Sequence, residues 1–293
     1  MKIFCPVWGD KHIALLDKAL GASLRWPQNN RSIKNAEWVI TTDSASSFEK
    51  IKDVLKTIDP DFNAKAIIYS DLAYKGIDSG MILIKAVRSV AEVCIQENEP
   101  LLMATPDFIW GDGTIDAFKA AGRDKGSCVS IAHIRATPEI LPLIFAPTNQ
   151  QLVTLAWIHP HISWTGSDSE GLEKRIYRGG VSWTKISNTK KLVRHYMPSP
   201  FYVNFLNKDL TCFNMNHEGR PPGFGMWDHV WPSELIEDSR LRFIGSSNAA
   251  IMVEVTDHNM NVPPIDKPEE HGFFRNHFHN KIQNQFVSLF EGI

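Results

Sequence analysis

The chain has 293 residues, enough to bury a large core as one big domain or two modest ones. Hydrophobic residues at 43% and a formal charge of -2 describe a water-soluble globular protein and argue against a general binder of nucleic acid or of anionic membranes, so any basic site must be local. No apolar stretch approaches the roughly 20 residues that span a bilayer, and the opening MKIFCPVWGDKH lacks the long apolar segment of a signal peptide, so a cytoplasmic location is expected.

In chain order, residues 2–7 read as a short apolar strand closed by Trp8, Gly9 and Asp10. Ile13, Leu16, Ala19, Leu20 and Leu24 then recur at helical spacing. Residues 38–42 read as a second strand ending at Asp43, followed by a helix through Phe48, Ile51, Val54 and Leu55 that Asp43 or Ser44 could cap. A third strand is expected over 64–69 and an amphipathic helix over 82–95. PLLMATPDFIWGDGT (100–114) holds an apolar run without polar alternation, as in a strand covered on both faces, and it ends in two carboxylates and two glycines. A short helix over 114–121 and a fifth strand over 127–132 complete an alternation that predicts a mainly parallel sheet flanked by helices.

From about residue 138 the rhythm changes. A helix over 150–158 is followed by an aromatic, glycine-rich and irregular stretch with Trp164, Tyr177, Trp183, Tyr196, Phe201 and Tyr202. Strands are expected over 241–244 and 250–256, and a terminal helix from Ile282, Phe286, Leu289 and Phe290. The division that follows is an α/β half over 1–137 and an aromatic-rich subdomain over 138–293 packed on it.

In open α/β sheets ligands sit beyond the carboxyl ends of the strands, which marks out the loops at Trp8-Gly9-Asp10, Asp43 and Asp107. Asp107 and Asp112 could converge on magnesium or manganese, whose hard oxygen chemistry suits carboxylates and phosphates. Asp112-Gly113 is equally a turn pair, with Asp112 able to cap the helix from Thr114. Trp8, Gly9 and Asp10, with Lys11 and His12 beginning a helix, offer an aromatic, free N–H groups and a cation to a nucleotide. Asp43 could accept from a ribose or base, and Arg135 could neutralise a diphosphate. Asp228-His229 and Asp257-His258 pair an acid with an imidazole, as a base for an acceptor would require. The chain has no Gly-x-Gly-x-x-Gly, Walker or Gly-x-Ser-x-Gly pattern, and its histidines show no His-x-x-x-His helix of a zinc hydrolase. Cys5, Cys94, Cys128 and Cys212 are scattered, as buried free thiols would be.

The blocks PVWGDKHIALLDKALGASLRWPQN, WVITTD and TPDFIWGDGT followed by IAHIR resemble, in kind and order, bacterial proteins like the GT-A type of nucleotide-sugar glycosyltransferase. The resemblance covers the first half well and the second half loosely. It implies a nucleotide-diphosphate sugar above the sheet, a divalent cation between diphosphate and acid loop, and transfer to an acceptor hydroxyl, for instance in building a surface glycan. Asp107 would be the acid on the metal or phosphate side, while Asp228, His229 and Asp257 are the candidates for the base. The spacing Asp107-x-x-x-x-Asp112 departs from the Asp-x-Asp of that family. A non-catalytic nucleotide or sugar binder of the same fold, and a metal-dependent hydrolase, are the alternative readings.

Overall fold

A computed structural model gives the arrangement of residues 1–68, 79–165, 177–178, 181–195, 199–213, 235, 239–257, 264–265 and 287–293. Strands β1 (Lys2–Pro6), β2 (Glu37–Thr42), β3 (Asn63–Ile68) and β4 (Leu101–Met103) form the expected parallel core. β1 lies between β4 and β2, and β3 pairs with the far side of β2. Their carboxyl ends therefore share one edge of the sheet, and the loops that begin at Val7, Asp43 and Ala104 open on it.

β1 is buried along its whole length. Ile3 and Cys5 point into one apolar core and Phe4 into the other, as a period of two requires of a strand covered on both faces. One face packs on helix α1 (Gly9–Leu15), which runs on through a π turn at Leu16–Gly21 to Leu24, and on α3 (Ala45–Ile58). Between them lies α2 (Pro27–Ile33), an element the sequence reading does not place. The other face packs on α4 (Ser79–Glu97). Ser44, rather than Asp43, caps α3 by accepting from the Ser47 N–H.

After β4 the chain makes β5 (Phe108–Trp110), α5 (Thr114–Ala121), β6 (Cys128–Ile131) and β7 (His133–Ala136). α6 (Asn149–Ile158) follows as expected, its first turn closed by a capping box between Thr148 and Gln151. An antiparallel sheet contains β8 (Tyr177–Arg178), β9 (Val181–Ser187) and β10 (Lys190–His195). The remaining strands are β11 (Tyr202–Val203), β12 (Leu241–Ile244), β13 (Met252–Val255), β14 (Pro264–Ile265) and β15 (Val287–Glu291). β14 and β15 are the outer strands of that antiparallel sheet among the described residues.

The result is an α/β architecture with a mostly parallel central sheet of order β12-β6-β11-β4-β1-β2-β3 among the described residues. β11 is its antiparallel member, inserted between β4 and β6, and β12 extends β6 in parallel. The boundary at residue 137 thus divides the sequence but not the sheet. β5, β13 and β7 form a second sheet, with β13 antiparallel to β5 and parallel to β7.

One expected element changes type. Residues 287–291 of the expected terminal helix are a strand paired with β10, and the rest of that helix, from 282, lies outside the described residues. Ser288 and Phe290 are buried while their neighbours are partly exposed, a period of two that a short apolar run does not distinguish from a helix beforehand. All four cysteines are free and buried. No helix among the described residues is long and apolar enough to cross a membrane.

Candidate functional site

A cleft of about 610 Å³ opens at the carboxyl edge of the central strands. Lys11, His12, Leu15 and Lys18 line it from α1 and the π turn, Asp107 from the loop before β5, and Glu254 to Asp257 from the end of β13. Positions 11, 15 and 18 fall on one face of a helix, which is why both lysines reach the same space.

β13 draws distant acids and bases together. His133 and Arg135 project from the same side of β7, two residues apart, and Glu254 is the register partner of Arg135. The Glu254 carboxylate accepts from Arg135 Nε at 2.8 Å and lies 2.9 Å from His133 Nε2. Burial alone would raise the Glu254 pKa, but the His133 and Arg135 side chains outweigh it and hold the group down to about 2.

Asp107 sits opposite. Its backbone carbonyl accepts from the Val255 N–H at 2.8 Å, which joins the acid loop to β13. Burial, helped by repulsion from Glu254, pushes the Asp107 carboxyl up to about 6, against the pull of its own N–H, the Thr105 hydroxyl and His12. His12 Nδ1 lies 2.7 Å from the Trp8 carbonyl, an arrangement that makes Nδ1 the donor and leaves Nε2 as the basic nitrogen.

The other expected site residues take different places. Gly9 has φ +68°, the left-handed region that favours glycine, and it turns the chain from β1 into α1. Burial works to raise the Asp43 pKa, but bonds from Ser47, Thr42 and the backbone N–H groups of Asp43 and Gly9 lower it overall, tying the loops after β1 and β2 together. Asp10 is exposed and paired with Lys50 at 2.6 Å. Arg135 is engaged by Glu254 beneath the cleft. Asp257 forms an ion pair with Lys11 at the cleft rim. Asp228, His229 and His258 lie outside the described residues.

Asp112 has a definite partner, though not the expected one. Its Oδ1 accepts from the Gln28 and Asn29 N–H groups at 2.9 and 3.0 Å, capping α2 rather than the helix from Thr114. Buried Asn29 answers by donating to the Trp110 and Gly111 carbonyls and accepting from the Gly113 N–H. Asp112 is thus committed to an interior joint, whereas Asp107 faces the cleft. Among the described residues no group of three or more His, Cys, Asp or Glu is arranged to hold a metal ion. Asp112 does not line the cleft that Asp107 faces, and its Oδ1 holds α2, so the two carboxylates are not seen to share one pocket among the described residues.

Sequence reasoning passed over Lys18, His133 and Glu254. A lone acid inside the apolar strand MVEV was a usable signal for Glu254, but its partner lies 119 positions away.

No protein-family model matches the chain, and no curated protein is similar to it. Among solved structures, two of S. aureus TarS are similar at 13% and 12% identity with TM-scores of 0.29 and 0.30, each over 46% of this chain. The matched part spans 21% and 36% of those TarS chains. A Bacillus anthracis protein described as a glucose-1-phosphate thymidylyltransferase, solved in complex with a sucrose, is similar at 10% identity and TM-score 0.37, over 94% of both chains. At these scores none of the likenesses assigns an activity.

Proposed function

We propose that the protein is a transferase that binds a nucleotide-diphosphate sugar in this cleft and passes the sugar to an acceptor hydroxyl. The observation that carries the reading is a carboxyl with a raised pKa, Asp107, facing a cleft that Lys11, His12 and Lys18 also line, at the carboxyl edge of parallel strands. The diphosphate lies along α1, where the two lysines neutralise the charge that develops as it leaves. Asp107, ionised in its larger part at pH 7, takes the proton of the acceptor hydroxyl. The acceptor oxygen bonds to the anomeric carbon, the bond from that carbon to the diphosphate oxygen breaks, and the nucleoside diphosphate departs.

This assignment moves the base from Asp228, His229 or Asp257 to Asp107. It routes no step through a divalent cation. The test is release of nucleoside diphosphate from a panel of nucleotide sugars and acceptors. Asp107→Asn should lower kcat by about 10²- to 10⁴-fold with unchanged circular dichroism. Undiminished turnover in the variant would remove Asp107 from the chemistry.

One second reading is a binding protein of the same architecture, favoured by the spacing Asp107-x-x-x-x-Asp112 in place of Asp-x-Asp. Donor binding without release or transfer to any acceptor would identify it. The hydrolase alternative rests on the late histidines, of which His229, His258, His271, His277 and His279 lie outside the described residues.

A further inference from the structure

We infer that Asp257 sets the ligand class of the cleft: its carboxylate is a resident counter-ion on Lys11 that an incoming diphosphate must displace. The inference rests on the nucleotide-sugar reading for the choice of ligand, but its evidence lies at the rim. Five charged side chains line the cleft, Lys11, Lys18, Asp107, Glu254 and Asp257. Glu254 is compensated by Arg135 beneath it. Asp257 is paired with Lys11, while among the described residues no carboxylate pairs with Lys18. Counting the described residues alone, the rim offers one cation without a paired carboxylate while Asp257 is in place, and two on one helix face once Asp257 is displaced. Two cations suit a ligand with two linked phosphates, whereas a neutral saccharide has nothing with which to compete for Lys11.

The pair is built to exchange. Both side chains are at least half exposed, 65% for Lys11 and 50% for Asp257, so water and salt keep it weak. The backbone leading into it is hydrogen-bonded at three successive residues. The Asp257 carbonyl lies 3.0 Å from Nε2 of buried His161, the Thr256 N–H donates to the Ala136 carbonyl at 2.9 Å, and the Val255 N–H donates to the Asp107 carbonyl. Asp257 can therefore leave Lys11 by turning its side chain, without any opening of the cleft wall.

The experiment is calorimetric titration of inorganic pyrophosphate and a panel of nucleoside diphosphates into wild type, Asp257→Asn, Lys11→Met and the double variant. Asp257→Asn should tighten pyrophosphate about three- to fivefold, the scale of releasing an exposed ion pair. Lys11→Met should weaken it, and in that background the gain from Asp257→Asn should shrink by at least half. Asp257→Ser carries the same expectation should the asparagine variant not fold. Unchanged or weaker pyrophosphate binding in a folded Asp257 variant overturns the inference, as does an equal gain without Lys11, which would mark a general charge effect. The underlying reading fails separately: tighter pyrophosphate in Asp257→Asn, with no nucleoside diphosphate bound by any variant, upholds the counter-ion and removes the nucleotide sugar.

Discussion

Asp107 shows how a buried carboxyl costs stability. Its carboxyl titrates near 6 in the fold, against an ordinary value of 3.8. A raised acid releases its proton more readily when unfolded, so this group leaves stability untouched below about pH 4 and subtracts from it as pH rises through 6. Asp107→Asn should therefore raise the melting temperature by a few degrees at pH 7 to 8 and change little below pH 4, even as the proposed role has it lower kcat. Thermal melts across pH read both limbs, and a variant that melts lower at pH 8 would contradict the burial argument. Glu254 has the opposite sign. Held down to about 2 from 4.5, it contributes stability above pH 4.5 that is lost as pH falls toward 2. Asp107 was legible in the sequence as a charged residue at the end of an apolar run. Its raised pKa was not, because the burial and the Glu254 carboxylate that cause it come from folding.

At the scale of elements, the stretch from Trp110 to Thr114 is a joint. Asp112 caps α2, Asn29 bonds back to the turn, and any side chain at Gly111 would collide with Asn149 and Ile251. Asp112→Ala leaves two helix N–H groups without their acceptor and should destabilise the protein by about 1–3 kcal/mol while leaving the KM for the donor unchanged. Denaturant unfolding and donor kinetics on the same variant separate the two effects; a raised KM at normal stability would return Asp112 to the site. The strands and longer helices were legible because burial on both faces and helical spacing write themselves into local sequence. α2 was not, since the carboxylate that caps it is 83 positions from Asn29. β15 shows the converse, because five residues carry too little periodicity to separate strand from helix.

For the whole molecule, the central sheet is completed from the second half of the chain. β11 enters between β4 and β6, and β13 brings Glu254 and Asp257 to the edge where the first half placed Asp107 and Lys11. The parallel sheet and its carboxyl edge could be read from the first 137 residues, but the cleft could not, because Glu254 to Asp257 arrive with a strand more than a hundred residues later. The central claim is that this edge binds a nucleoside diphosphate through side chains alone. Isothermal titration of uridine, thymidine, guanosine, cytidine and adenosine diphosphates into the full chain, in EDTA and again with manganese, tests it most directly. The account predicts saturable binding of at least one of them in EDTA; binding of none of the five in EDTA, whether or not manganese restores it, would contradict it.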